Sequence, residues 1–505
     1  MNKPLAGNGN GNGGGANGLL QQVQKRPAPP ADAPSSEAGE GGVAFQTHSG
    51  LELRGAPVRT TRHRAVFEVF GPAGALRLSE ALPVFQIALQ GRTVYSGRAV
   101  VRHLVDAGTK TVCEAALDEA HWTDLNLIPA LPPEGQMARE FKAFLKGWEK
   151  FYAMSPEFKV AIVDMQTFLH GLRLWLDGVE VQIGSQPVEI RPQIERMLMN
   201  DLREPILTAF RNLLEKFESL AQQVPSDLRP AYIAYMQRQI HPFVLSAPFI
   251  HRTFFKPLGY AGDYEMVNMM VRPPHEGDSL LAKILNYIFL NTPPVEAHRN
   301  RLVYLTRMLR DETVRAGAQR RENRVRIFNL GCGPAIEIQD FLTHHRVSDL
   351  AHFLLLDFNH ETLAYTSKIL KQLALEHQRQ TRIETAKKSV QQILKEAPKL
   401  EKSLGKFDIV YCAGLFDYLP DTVCEKLLEF FYDIAAPGGL IVTTNVANIN
   451  PSRGWMEYML DWYLIYRSVE QFRALVPKTI HPEQTVVRAI GTGVNIAVEI
   501  RKPHD

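Results

Sequence analysis

The chain has 505 residues, more than one hydrophobic core can fill, so several domains are expected. Hydrophobic residues are 45% and charged residues 22%, the mix of an ordinary globular protein. A net charge of +3 is too small to imply a nucleic-acid partner, and no apolar run has the length of a membrane span. The N-terminus has one early lysine but no apolar core, so no signal peptide is expected. Cys113, Cys332, Cys412 and Cys424 have no Cys-x-x-Cys spacing, so no metal is expected; free thiols imply a reducing cytoplasm.

Residues 1 to 44 are rich in Gly, Asn, Ala and Pro, and bury too little apolar surface to offset chain entropy, so a disordered tail is expected. From 45 to 128 short apolar runs alternate with turn residues. Val66 to Phe70, Val84 to Leu89, Val94 to Val105 and Thr111 to Leu117 read as strands of a small β-barrel. The layout resembles PilZ domains, the cyclic-di-GMP receptors, which carry an arginine pair four residues apart before the first strand and a serine–glycine motif after it. Arg54, Arg59, Arg62 and Arg64 precede Val66, but no two are four apart; Ser79 is kept, with Arg77 and Leu82 at the altered motif positions. With both motifs broken, a barrel used for packing or dimerisation is expected, with cyclic-di-GMP binding weak or absent.

Residues 129 to 294 read as a helical domain. Phe141, Phe144, Leu145, Trp148, Phe151 and Tyr152 recur at helical spacing and are expected in the core. Ser155-Pro156 is a helix start, followed by the stripe Ile162, Met165, Phe168, Leu169, Leu172 and Leu176. Ile206, Phe210, Leu213, Phe217 and Leu220 mark another helix. Pro257, Gly259 and Gly262 then interrupt the pattern, in a loop carrying Tyr260, Asp263 and Tyr264. A glycine-rich, aromatic, acid-bearing loop suits a lid, and these three are the candidate catalytic residues.

Residues 295 to 505 carry the most specific pattern. A strand ends in Asn329-Leu-Gly-Cys-Gly-Pro-Ala335, a helix follows, and the next strand ends in Asp357. Gly331 and Gly333 permit a tight turn close to a ligand, and an acid ending the next strand suits the hydroxyls of a ribose. Ile336 stands where a dinucleotide fingerprint has its third glycine, which disfavours a nicotinamide oxidoreductase. The run resembles the first motif of class I S-adenosylmethionine (SAM) methyltransferases. Phe407 to Ala413 and Pro437 to Val442 resemble that family's fourth-strand motif and its turn into the fifth strand. The ordered resemblance implies a Rossmann-like α/β sheet of seven strands, one antiparallel, closing in a hairpin around Gly491-Thr-Gly493. It implies SAM as cofactor, held by Gly331, Cys332, Gly333, Asp357, Ser389 and Ala413. Arg299 or Arg301, on the preceding helix, is placed to pair with the SAM carboxylate.

Residues 259 to 264, with the aromatic segment from Arg453 to Arg467, further resemble proteins of 3-hydroxypalmitic acid methyl ester biosynthesis. That resemblance implies a fatty-acid carboxylate as methyl acceptor, with Trp455, Trp462 and Tyr466, at helical spacing, as candidate channel walls. A carboxylate is ionised at neutral pH and needs no base; for a hydroxyl or amine, His241, His251 and Asp263 are the base candidates. The expectation is a cytoplasmic SAM-dependent methyltransferase acting on a small-molecule or lipid acceptor. The alternative is a cyclic-di-GMP receptor with a regulated or non-catalytic methyltransferase module.

Overall fold

A computed structural model describes residues 42–48, 50–69, 76–89, 92–106, 111–118, 121–122, 136–152, 154–319 and 324–504. The expected tail lies outside them as far as residue 41, as do the turns at 70–75 and 90–91. Residues 42–44, read as tail, instead open the first strand.

Six antiparallel strands close a barrel: β1 (Gly42–Gln46), β2 (Glu52–Thr61), β3 (Arg64–Val69), β4 (Ala81–Leu89), β5 (Arg92–Asp106) and β6 (Thr111–Leu117), in the order β1-β2-β3-β6-β5-β4. Phe45, Phe67, Phe85 and Tyr95 fill its interior, with ring centroids 5.3 to 6.2 Å apart. Two strands therefore precede Val66, and the arginines expected ahead of the sheet lie within it. Arg54 and Arg59 are on β2, and Arg64 of β3 pairs with Glu114 at 3.6 Å. β2 escapes sequence reading because it is nearly unburied along its length and holds Pro57, tolerated where the register shifts at a bulge.

The helices are α1 (Gln136–Tyr152), α2 (Pro156–Gly184), α3 (Arg191–Ala221), α4 (Arg229–Val244), α5 (Pro248–Phe255), α6 (Tyr264–Val271) and α7 (Leu280–Leu290). Ser155 caps α2, its Oγ accepting from the Phe158 amide at 3.1 Å, and Pro156 occupies the first turn. Ile162, Met165, Leu169 and Leu176 pack with Phe210 and Phe217 of α3 in one core. In the α1 stripe, expected in the core, Phe141 is 59% and Trp148 51% exposed; the side chains of Phe144, Phe151 and Tyr152 lie outside what is described. Apolar spacing establishes that the helix forms; it does not say what its apolar face meets.

The last part alternates strands and helices: α8 (Pro293–Gln319), β7 (Val325–Leu330), α9 (Ile336–His344), β8 (Ala351–Asp357), α10 (His360–Glu376), β9 (Arg382–Lys387), α11 (Val390–Leu404), β10 (Phe407–Cys412), α12 (Asp421–Ile434), β11 (Ala435–Val446), α13 (Arg453–Leu460), α14 (Val469–Ala474), β12 (Thr485–Ile490) and β13 (Asn495–Arg501). The seven strands run in the order β12-β13-β11-β10-β7-β8-β9. β13 is antiparallel to both neighbours, as the closing hairpin required. β10, at the centre, is buried at every residue, hence the apolar run from Ile409 to Cys412; Asp408, its one charged residue, accepts the Arg326 amide at 2.9 Å. The segment from Arg453 to Arg467 is not one helix. α13 stops at Leu460, where Asp461 takes a left-handed conformation at φ 47°, so Trp455, Trp462 and Tyr466 do not share a helical face. All four cysteines are buried free thiols, and burial pushes their pKa values up.

The barrel is seated through buried polar contacts. Arg102 Nη2 meets Asp461 Oδ1 at 3.2 Å, Arg98 donates to the Phe254 carbonyl at 2.6 Å, and Ser79 Oγ donates to the Tyr463 carbonyl at 2.8 Å. Lys256 Nζ donates to the Leu460 carbonyl at 2.9 Å beside them. Burial works to raise the Asp461 pKa, but Arg102, Lys256 and Arg98 outweigh it and hold the carboxyl below the usual range. A depressed carboxylate adds stability above its unfolded pKa and loses it as pH falls through the folded value. Asn tolerates the left-handed backbone, so Asp461→Asn isolates the charge. It should cost about 3–5 kcal/mol at neutral pH by urea unfolding, because Arg102 is left buried and unpaired.

Candidate active site

A cavity of about 190 Å³ opens beside the carboxyl ends of β7, β8 and β10. All three parts of the chain wall it. The last part gives Val295, residues 329–337, Asp357, Phe358 and 413–415; the helical part gives Tyr260, Met266 and Met270; the barrel gives Arg77 and Leu78. Trp455, Met456, Trp462 and Leu464 complete an apolar side.

The glycine turn is built as its sequence requires. Gly331 and Gly333 have φ of 72° and 49°, and a Cβ on Gly333 would meet nothing within 4 Å, so its backbone faces open space. The Leu356 carbonyl accepts the Gly331 amide at 2.7 Å, and Thr366 Oγ1 donates to the Gly333 carbonyl at 2.6 Å. Asp357 closes the turn: Oδ2 accepts the Gly333 amide at 3.2 Å and Oδ1 the Asn359 amide at 2.9 Å. Burial raises the Asp357 pKa, opposed by those amides and by the Arg77 charge. Phe358, next in the chain, has the Tyr260 ring edge-on at 5.0 Å and the Arg77 guanidinium 4.1 Å over its face.

A buried basic pair also lines the cavity, beside Gly414. Arg301 Nη2 is 2.8 Å from His298 Nδ1. A guanidinium only donates, so Nδ1 accepts, and the neutral imidazole carries its proton on Nε2. Burial, then the charges of Arg301 and Arg299, hold the His298 pKa well below its ordinary value. His298 Nε2 and Arg301 Nε are both buried without a hydrogen-bond partner among the described residues. Gly414, at φ 86°, gives Arg301 its room: a Cβ there would sit 3.0 Å from Nη2. Asn329 Oδ1, Asn495 Oδ1 and Trp455 Nε1 are likewise buried and unpartnered, and their residues line the same cavity. Five unpartnered polar atoms thus belong to residues that line one cavity, a clustering that suits a site for a polar ligand.

The sequence-predicted residues divide. Gly331, Cys332, Gly333, Asp357, Ala413, Arg301, Tyr260, Trp455 and Trp462 line the cavity together. Arg299 does not: its guanidinium donates to the Met270 and Leu290 carbonyls at 2.9 and 2.7 Å. Ser389 caps α11 in a capping box, while Lys388 and Val390 beside it reach the cavity. Asp263 is not in the cavity wall: it caps α6 through the Met266 amide at 2.8 Å and pairs with Arg252 at 2.8 Å. Tyr264 donates to Glu361 at 2.8 Å and stacks on Tyr365, away from the cavity. Tyr466 lies under the Arg453 guanidinium and is not in the cavity wall. His241 is spent on the Met459 carbonyl at 2.8 Å, and His251 packs on Phe255.

No family model matches the chain, and no curated protein matches it. Among solved structures, a possible exported protein from Bordetella parapertussis is similar at a TM-score of 0.37 and 18% identity, over 56% of this chain and 99% of that one. Magnesium protoporphyrin IX methyltransferase from Synechocystis, solved with bound SAH, is similar at 0.30 and 8%, over 42% of this chain and 87% of that one. An N-methyltransferase from Bradyrhizobium japonicum, in complex with S-adenosylhomocysteine, is similar at 0.30 and 13%, over 48% and 98%. Scores this low carry no functional argument, which comes from the chain's own residues.

Sequence reading missed His298, Phe358, Asn329 and Arg77. His298 had a signal, since it lies three residues before Arg301 and so on the same helical face. Arg77, on a different domain, had none. The buried pair makes a pH prediction. With its pKa depressed by burial and by the Arg301 and Arg299 charges, His298 should stay in the neutral Nε2–H form through the pH range in which an ordinary imidazole gains its second proton. NMR of ¹⁵N-histidine-labelled protein checks this; a ring titrating near its ordinary pKa would contradict it.

Proposed function

We infer that the chain is a SAM-dependent methyltransferase that esterifies the carboxylate of a fatty acid, in keeping with its resemblance to 3-hydroxypalmitic acid methyl ester enzymes. The observation that carries the methyltransferase reading is the glycine turn closed by buried Asp357, with the unpartnered donors of Arg301 and His298 beside the same cavity. These residues fit the parts of SAM. Asp357 suits the ribose hydroxyls, Phe358 and Val390 the base, the turn at residues 331–335 the methionine portion, and Arg301 with His298 its carboxylate. SAM, when bound, supplies an electrophilic methyl on a sulfonium.

The chain's own residues then need only bind, orient and exclude water. Tyr260, Trp455 and Trp462 are the candidate acceptor walls, and Met266, Met270 and Leu464 supply apolar surface beside them. An ionised acceptor carboxylate takes the methyl with no proton to move. That agrees with a site whose candidate bases, Asp263, His241 and His251, are engaged elsewhere. The receptor alternative gains nothing from the barrel, because the serine retained from the PilZ-like motif, Ser79, is bonded to Tyr463.

Two measurements test this. Asp357→Ala should weaken SAM binding by about 1–3 kcal/mol in calorimetry, since ribose hydroxyls lose their acceptor. Incubation with methyl-labelled SAM and a fatty-acid panel should put label into methyl esters, with affinity rising about 0.8 kcal/mol per buried methylene until the channel fills. Label only in amines, protein or nucleic acid would remove the lipid acceptor and keep the methyltransferase. No transfer to any acceptor, with tight SAM binding, would favour a sensor.

A further inference from the structure

The barrel does more than pack beside the sheet, because Arg77 and Leu78 form part of the cavity wall. We propose that Arg77 is a positioning residue of the cofactor site, acting from the barrel through Asp357 and Phe358 to shape the pocket for an adenosine. This rests on the SAM reading above.

The turn that presents Arg77 is over-determined. Ser79 is fully buried at φ 60°, a left-handed conformation that a serine keeps only where its surroundings hold it. Its Oγ bonds both the amide and the carbonyl of Tyr463. The buried Glu80 carboxylate accepts the Arg77 amide at 2.9 Å and the His48 amide at 3.3 Å. The Ala81 amide donates to the Gly259 carbonyl at 2.7 Å, in the loop that carries Tyr260. The guanidinium is thereby fixed 4.1 Å over Phe358.

Its second target is Asp357, only 5% exposed. Asp357 is faced by the amides of Gly333, Phe358 and Asn359, by Tyr260 from the loop, by Cys332 from the turn and by Arg77 from the barrel. Of these groups Arg77 carries the positive charge; Lys388, also in the cavity wall, has its ammonium on Glu396. A ribose diol brings two O–H donors, and only an ionised carboxylate accepts both freely. Arg77 favours that form, and its stacking fixes the ring beside the base.

The test is calorimetry of the full-length chain with S-adenosylhomocysteine across pH. Arg77→Met should weaken binding about tenfold, and Arg77→Lys, which keeps the charge, should recover most of it. The acid limb of the affinity–pH profile should move to higher pH in Arg77→Met and stay near wild type in Arg77→Lys. Asp357→Asn should erase most of the Arg77→Met effect in the double variant, since both act on one contact. Wild-type affinity in Arg77→Met, losses that multiply in the double variant, or an unmoved pH profile would each overturn the proposal. Thermal melting separates these from an unseated barrel, which would lower stability in Arg77→Lys as well. No binding by the wild-type chain would instead remove the SAM reading, and this proposal with it.

Discussion

A carboxylate taken out of water must be satisfied where it sits, and Asp357 organises its surroundings by that need. One oxygen holds the Gly333 amide and so the glycine turn; the other holds the Asn359 amide, and Asn359 is the cap of α10. The strand end, the turn and the start of the next helix are thus one hydrogen-bonded unit. The two oxygens offer about four acceptor positions, and the amides of Gly333, Asn359 and Phe358 do not fill them all, which leaves room for a ligand. The cavity's other walls are brought to this unit from the helical part and the barrel.

The same demand explains the basic end of the cavity. Arg301 is buried with a neutral histidine against it, and Glu337 and Asp417, the nearby acids, are themselves pushed up in pKa by burial. Glu337 takes the Tyr411 hydroxyl at 2.8 Å, and Asp417 takes the Val446 amide at 2.6 Å. The acids are occupied by structural donors, and Arg301 keeps an unmatched N–H. A folded protein retains such a cost where a ligand returns the missing bond.

Most of the sheet was legible because its chemistry is local. Gly331, Gly333 and Asp357 act through backbone shape and strand ends, which spacing records. β10 and the hairpin of β12 and β13 announce themselves by apolar runs and glycines. Residue type says less about where a side chain ends up. Asp263 looked catalytic and is a helix cap, because an acid before a short helix serves either purpose. Trp455, Trp462 and Tyr466 have helical spacing, but a left-handed Asp461 lies between them and ends the helix, which a count of spacings does not record. Arg77 meets Asp357 only through the tertiary fold, so no local pattern could join them.

The four buried thiols give the molecule an internal record of its own opening. Cys113 lies on β6 in the barrel, Cys332 in the glycine turn, Cys412 at the end of β10 and Cys424 on α12. A thiol must be reached and ionise before it reacts, and burial opposes ionisation at all four. Cys332 alone of the four lines the cavity; the other three stay silent until their own part of the fold comes apart. The order in which those three become alkylated is a chronology of local unfolding, read separately from the barrel, the central strand and α12.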